Sequence, residues 1–143
     1  GDPKNFILGD CSTQRNLSKE GKEQAKLLGQ WLKSENVSFT EILSSEWCRC
    51  IDTVKEMRIG NWSSFSGLNS CFQEFCPKEK VVIKLRNKLS GVRANDLVLM
   101  VTHLVVIREI TGISAPSGGL VLYNTKSGAS HQIDFSHQKF IKN

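Results

Sequence analysis

The sequence has no long apolar run. Its longest purely hydrophobic stretch, Leu97 to Val101, is five residues. A membrane-spanning helix needs about 20, so no span is present. The start carries no secretory leader pattern, because Gly1-Asp2-Pro3-Lys4-Asn5 opens as a polar loop. There is no internal repeat and no low-complexity tract, which excludes solenoids and fibrous chains. There is no C-x-x-C pair, and the spacings of the five cysteines match no zinc pattern.

What is there describes one ordinary domain over residues 1–143, with 39% hydrophobic and 23% charged residues. That balance excludes a disordered tail, and the length suffices to bury a core. The net charge is +5 and the pI about 9.0. Such a balance favours anionic ligands. A nucleic-acid partner is not expected, because no basic cluster is interleaved with aromatics and no nucleic-acid motif occurs. Cys11, Cys48, Cys50, Cys71 and Cys76 make an odd count. They are expected to be small, mostly buried, reduced thiols, with Cys48 and Cys50 diverging on a helix. The competing arrangement is a single Cys71–Cys76 disulfide in an oxidising compartment. The compartment stays open, with a cytoplasmic setting favoured over a periplasmic or secreted one.

Residues 1–16 form an irregular polar loop. Ser18 is a good helix N-cap, and Ala25, Leu28 and Leu32 recur at helical spacing up to about Ser34. Thr40 to Ser44 is a short buried strand. A second helix presents Trp47, Ile51 and Val54 on one face and Arg49, Asp52 and Glu56 on another. Gly60 to Gly67 is a loop rich in Gly, Asn and Ser, and Trp62, Phe65 and Phe72 are expected at a pocket mouth or over the core. A third helix covers roughly Lys78 to Leu89, with Val82, Leu85 and Leu89 inward. Asp96 to Val101 is a strand covered on both faces. His103 to Thr111 is a fourth helix closed by Gly112, and two strands follow, joined at Lys126-Ser127-Gly128. Strands alternate with helices, so the fold class is α/β with a largely parallel sheet and a closing antiparallel hairpin.

In open α/β sheets, ligands bind beyond the carboxyl ends of the strands. The first strand ends at Ser44-Ser45 and leads into a helix whose first turn carries Arg49. A helix N-terminus favours an anion, and a guanidinium fork can hold two phosphate oxygens. The strand near Val101 ends at Thr102-His103, where an imidazole can be charged or can donate to an anion. Arg15, in the early loop, is a third candidate, although it could also pair with Asp10. From the residues alone the expectation is an α/β domain with a phosphate pocket.

Read in order, three segments resemble the histidine phosphatase superfamily, with its phosphoglycerate-mutase-like three-layer fold. Arg15-Asn16-Leu17-Ser18 through Gly21 to Gln24-Ala25 resembles the pattern R-x-L-T-x-x-G-x-x-Q-A. Leu43-Ser44-Ser45 through Arg49 to Thr53 resembles S-S-P-x-x-R-x-x-x-T. Leu99-Met100-Val101-Thr102-His103 resembles V-x-V-T-H, and Ile110-Thr111-Gly112 the L-T-G that often follows. The Arg-x-Leu-Ser version is most similar to the small phosphohistidine-phosphatase-like and lipopolysaccharide-modifying branches.

The resemblance implies phosphoryl transfer through a phosphohistidine, a hydrolase or mutase activity with no metal and no cofactor. Arg49 matches the second phosphate-holding arginine and His103 the second histidine. Arg15 matches a position near the pocket mouth, and Arg15, Ser45 and Thr102 join Arg49 and His103 as candidate phosphate-binding residues. The general acid would be Glu74, after the second-arginine helix, or Asp10, in the early loop. The implied partner is a phosphorylated small molecule or a phosphoprotein.

The sequence departs from the family at one point. The R-H-G or R-H-A motif that ends the family's first strand and supplies the nucleophile does not occur here. The three histidines are His103, His131 and His137. The motif would fall just before Gly1, so the expectation is an N-terminally truncated domain lacking its first central strand. Such a chain forms no phosphohistidine, and its open inner edges favour homodimerisation or strand exchange. The alternative is a non-catalytic relative that uses Arg49 and His103 to bind a phosphorylated ligand.

Overall fold

The computed structural model describes residues 2–71 and 76–134. Within them, five strands and four helices follow one another, all but β2 as the sequence indicates: α1 (Lys19–Ser34), β1 (Glu41–Ser44), α2 (Cys48–Met57), β2 (Ser63–Ser64), α3 (Lys78–Ser90), β3 (Val98–Val101), α4 (Leu104–Thr111), β4 (Leu120–Tyr123) and β5 (Ser130–Ile133). The Ser18 hydroxyl caps α1 by accepting from the Gly21 N–H at 3.0 Å. Gly112 closes α4 at φ 75°, a backbone conformation that favours glycine. The Gly60–Gly67 region is not wholly loop. Ser63 and Ser64 pair with the end of β1, and Ser66–Leu68 make one 3-10 turn.

The strands form a parallel sheet in the order β2-β1-β3, with the β4-β5 antiparallel hairpin beside it. Two apolar layers sandwich the sheet. On one face Ile42 and Leu99 meet Ala25 and Leu32 of α1 and Val54 and Met57 of α2. On the other, Leu43 meets Leu68, Leu85 of α3 and Val106 of α4. The alternation of Ile42 and Leu43 between layers is the two-residue period of a strand covered on both sides. Trp62 packs on the first layer and Phe65 on the second, so both cover the core. Phe72 lies outside the described residues. The buried stripe of α2 runs through Cys50, Val54 and Met57, and Ile51 is only half-buried. The i, i+4, i+7 spacing of that stripe was present in the sequence, but a cysteine and a methionine carry it.

α1 and α2 pack closely because Gly29 lacks a side chain. A Cβ built there would lie 2.0 Å from the Met57 carbonyl oxygen. Backbone cannot yield as a flexible side chain can. Gly29→Ala is therefore expected to destabilise the fold by about 1–3 kcal/mol, despite alanine's better helix propensity. Urea denaturation measures this, and an unchanged midpoint would contradict the close packing.

β3 is less enclosed than its apolar sequence suggests. Only Leu99 is fully buried. Leu97 O and Val101 O accept from Thr40 N and Ser45 N on the β1 side, so the main-chain groups of Val98 and Met100 point to the other edge. Among the described residues that edge has no paired strand. It borders a cavity of about 390 Å³ lined by Leu85, Leu89 and Val106 and by β4. Leu89 of α3, which lines this cavity, is half-buried, and so is Val82, which does not line it.

The cysteines correct the expectation of reduced thiols. Cys11 bonds to Cys48 and Cys71 to Cys76. Cys50 alone is free, and it is buried. Cys48 and Cys50 do diverge on α2, one toward the N-terminal loop and one into the core. Cys71–Cys76 is the pair the competing arrangement named, whereas the Cys11–Cys48 link, between residues 37 apart in sequence, had no signature in the spacing.

Candidate anion site at the strand ends

β1 and β3 are neighbours in register, Ser44 opposite Val101, so the segments that follow them meet. Ser45, Arg49 and His103 converge there, at the start of α2. His103 is the N-cap residue of α4. It is 7% exposed, and Ser45 is fully buried. The His103 Nε2 lies 2.8 Å from Ser45 Oγ. Its Nδ1 lies 3.3 Å from Arg49 Nη2. A guanidinium only donates, so Nδ1 must accept and Nε2 must carry the proton. Nε2–H then donates to Ser45 Oγ. The Ser45 hydroxyl donates in turn to Asn69 Oδ1 at 3.2 Å, and Asn69 Nδ2 donates to Glu46 Oε1 at 2.9 Å. Main-chain donors complete the network, Glu46 N to Asn69 Oδ1 and Trp47 N to Ser45 Oγ. The Trp47 ring stands edge-on to the imidazole at 5.1 Å.

Burial keeps this imidazole neutral. Burial first and the Arg49 charge second lower the His103 pKa to about 3, with Asp2 opposing both. Cys50 Sγ lies 3.8 Å from the same Nε2. Burial pushes its thiol up to about 11, against the pull of Arg49 and Ser45, so Cys50 is an inert core thiol at neutral pH.

Arg49 is already holding an anion. Its Nη1 donates to both oxygens of the Asp2 carboxylate, at 3.0 and 3.2 Å. Trp47 Nε1 donates to Asp2 Oδ2 at 3.1 Å and the Arg15 N–H to Oδ1 at 3.1 Å. Burial raises the Asp2 pKa, but these four hydrogen bonds and the Arg49 charge prevail and hold it below the usual carboxylate value. The pocket thus stabilises a negative charge with one guanidinium, one indole N–H and one main-chain N–H.

The other candidates occupy varied positions. Arg15 reaches the site through its main-chain N–H, and the residue is exposed. Thr102 Oγ1 donates to the Leu68 carbonyl at 2.6 Å and so braces the turn after β3. The Asp10 carboxylate caps a short 3-10 turn, accepting from the N–H and hydroxyl of Ser12. Glu74 lies outside the described residues. Asp2, Gln14 and Asn69 carried no sequence signal. Gln14 Oε1 accepts the Cys48 N–H at 2.9 Å, the first donor of α2. Among the described residues, no three His, Cys, Asp or Glu side chains converge as a metal site. No described helix is long and apolar enough to cross a membrane.

Three comparisons bear on this arrangement. The model of the histidine phosphatase superfamily (branch 1) matches residues 10–64. No curated protein matches the chain. Among solved structures, the protein histidine phosphatase SixA complexed with tungstate is 21% identical, with a TM-score of 0.57, over 93% of this chain and 89% of that one. A phosphoglycerate mutase from Plasmodium falciparum is 19% identical, with a TM-score of 0.56, over 82% and 84%. A protein from Thermus thermophilus is 16% identical, with a TM-score of 0.58, over 84% and 85%.

Proposed function

We propose that the chain is a member of the histidine phosphatase superfamily, whose model matches residues 10–64, and that its Arg49–His103 pocket receives the phosphoryl group of a phosphorylated ligand. The observation that carries this is the Asp2 carboxylate on Arg49, with neutral His103 alongside at 3.3 Å. A site that holds a carboxylate with a guanidinium and two N–H donors offers the same donors to a phosphate oxygen pair. The family match and the shared fold support phosphatase or mutase activity in general. The finer reading concerns what these 143 residues do themselves.

His103 serves to hold the phosphoryl group and not to attack it. Its Nε2–H is committed to Ser45, and its Nδ1 faces a guanidinium. An attacking nitrogen needs a lone pair aimed at phosphorus in line with the leaving oxygen. When a dianion replaces Asp2, Nδ1 gains an opposite charge beside it. Its pKa then rises, and it can take a proton and donate to the bound oxygen. Arg49 and His103 would then stabilise equatorial charge, as in phosphoryl transfer through a phosphohistidine. Lacking an Arg-His-Gly sequence, the 143-residue chain is expected to bind phosphorylated ligands without turning them over. A phosphorylated protein side chain is a fitting ligand, since SixA, whose fold it shares, is a protein histidine phosphatase.

Calorimetric titration with tungstate and inorganic phosphate, beside turnover of p-nitrophenyl phosphate, tests both parts. Binding without turnover is the expected result. Turnover abolished by His103→Ala would overturn the holding role, and absence of any anion binding would overturn the pocket itself.

A further inference from the structure

Residues 2–14 lie across the phosphoryl pocket and are tied to α2 at four points. Asp2 sits on Arg49 and Trp47. Phe6 stacks on the Trp47 ring, with centroids 5.0 Å apart and planes at 22°. Cys11 is bonded covalently to Cys48. Gln14, only 6% exposed, accepts the Cys48 N–H. The segment is also folded on itself, since Gln14 Nε2 donates to the carbonyls of Ile7 and Leu8, at 3.2 and 2.8 Å. Thr13 Oγ1 accepts the Ile7 N–H at 2.8 Å. It is a built strap with its own internal bonds.

Two of these ties use acceptors at the donors an oxyanion would need. The carboxylate of Asp2 takes the Arg49 fork, and the amide oxygen of Gln14 takes the first free N–H of α2. We propose that residues 2–14 form an autoinhibitory strap, in which the Cys11–Cys48 disulfide holds Asp2 on Arg49 as an internal competitor of the phosphoryl ligand. The inference rests on the phosphoryl-pocket reading.

The consequences follow from mass action. An incoming oxyanion must displace a carboxylate whose effective concentration is fixed by the tether, so its apparent affinity falls by the fraction of time the strap is open. Breaking the disulfide removes the strap's covalent anchor, leaving the Phe6 stack and the Gln14 hydrogen bond to hold it, and so lowers that effective concentration. A dithiol reductant does this in one balanced exchange. The S–S bond breaks, two electrons and two protons pass to Cys11 and Cys48, and the dithiol becomes its own cyclic disulfide. Reduction therefore opens the pocket and oxidation closes it. The neutral, buried Cys50 thiol takes no part.

The test measures tungstate affinity by calorimetry at pH 7.5 for four proteins: the oxidised wild type, Asp2→Asn, Cys11→Ser/Cys48→Ser and Arg49→Ala. Asp2→Asn keeps the shape and removes the charge. It is expected to bind tungstate at least about tenfold more tightly than wild type. The double serine variant, which leaves Cys71–Cys76 intact, is expected to gain severalfold. If Asp2→Asn binds no better than wild type while both still exceed Arg49→Ala, the strap is overturned and the pocket stands. If no protein binds, Asp2→Asn included, the pocket reading fails and takes the strap with it. Should the double variant not fold, the Asp2→Asn comparison still decides, because Asp2 belongs to no helix or strand.

Discussion

Arg49→Ala is expected to weaken tungstate or phosphate binding by about 100-fold, and Arg49→Lys by nearly as much. Charge-assisted hydrogen bonds contribute about 1.5–3 kcal/mol each, and a fork can make two to one anion. A loss of about 3 kcal/mol corresponds to about two decades in affinity. Lysine keeps the charge but is a point donor on a flexible stem, so it cannot serve Asp2, or a phosphoryl group, and His103 Nδ1 together. In the present geometry Arg49 reaches both, Nη1 to Asp2 and Nη2 to His103. The alanine variant should still fold. The Arg49–Asp2 pair is partly exposed, with 31% and 17% of the side chains accessible, and such pairs contribute little to stability. Thermal denaturation run beside the titration separates the two effects. A well-folded alanine variant that binds as tightly as wild type would remove Arg49 from the site.

How much of this could be read from the sequence depends on how local the signal was. α1 has a cap, a helical period and polar flanks within one stretch, and its bounds follow from them. The meeting of Ser45, Arg49 and His103 was legible for a different reason. Residues at the carboxyl ends of adjacent parallel strands must converge, and Ser44 and Val101 are register partners. β2 was not legible, because two serines in a Gly-rich loop have no strand pattern of their own. They are held by β1 and the N–H of Phe65, which donates to the Ser44 carbonyl at 2.8 Å. The pairing of Cys11 with Cys48 depends on how the 1–16 loop returns over α2. That loop has no hydrophobic period to announce its path, so Asp2 and Gln14 could not be placed from composition. Asn69 was hidden for the same reason. Its importance comes from the buried Ser45 hydroxyl beside it, and nothing near it in sequence indicates that contact.

His103 should make the fold acid-sensitive well above the range where carboxylates titrate. In the unfolded chain an imidazole takes up its proton near pH 6.5. In the folded protein burial, aided by Arg49, lowers the His103 pKa to about 3. Between these values the unfolded state binds the extra proton, so stability rises with pH across that window. It is complete above about pH 6.5 and is lost as the pH falls toward 3. From pH 7 to pH 4.5 the loss is on the order of 2–3 kcal/mol. Asp2 acts in the same direction but lower, since its depressed pKa places its contribution below the usual carboxylate value. Urea midpoints taken between pH 4.5 and 7.5 read the slope. His103→Asn is expected to be less stable than wild type at pH 7, because Ser45 loses its imidazole donor. It should also show a much flatter dependence from pH 6.5 to 4.5. A variant with the wild-type slope would place the titration elsewhere. Bound sulfate, which keeps its double charge throughout this range, should oppose the effect by raising the His103 pKa in the complex. Its affinity should therefore grow as the pH falls, and that growth should vanish in His103→Asn. The same imidazole would then be neutral when the pocket holds only Asp2 and protonated when it holds a dianion.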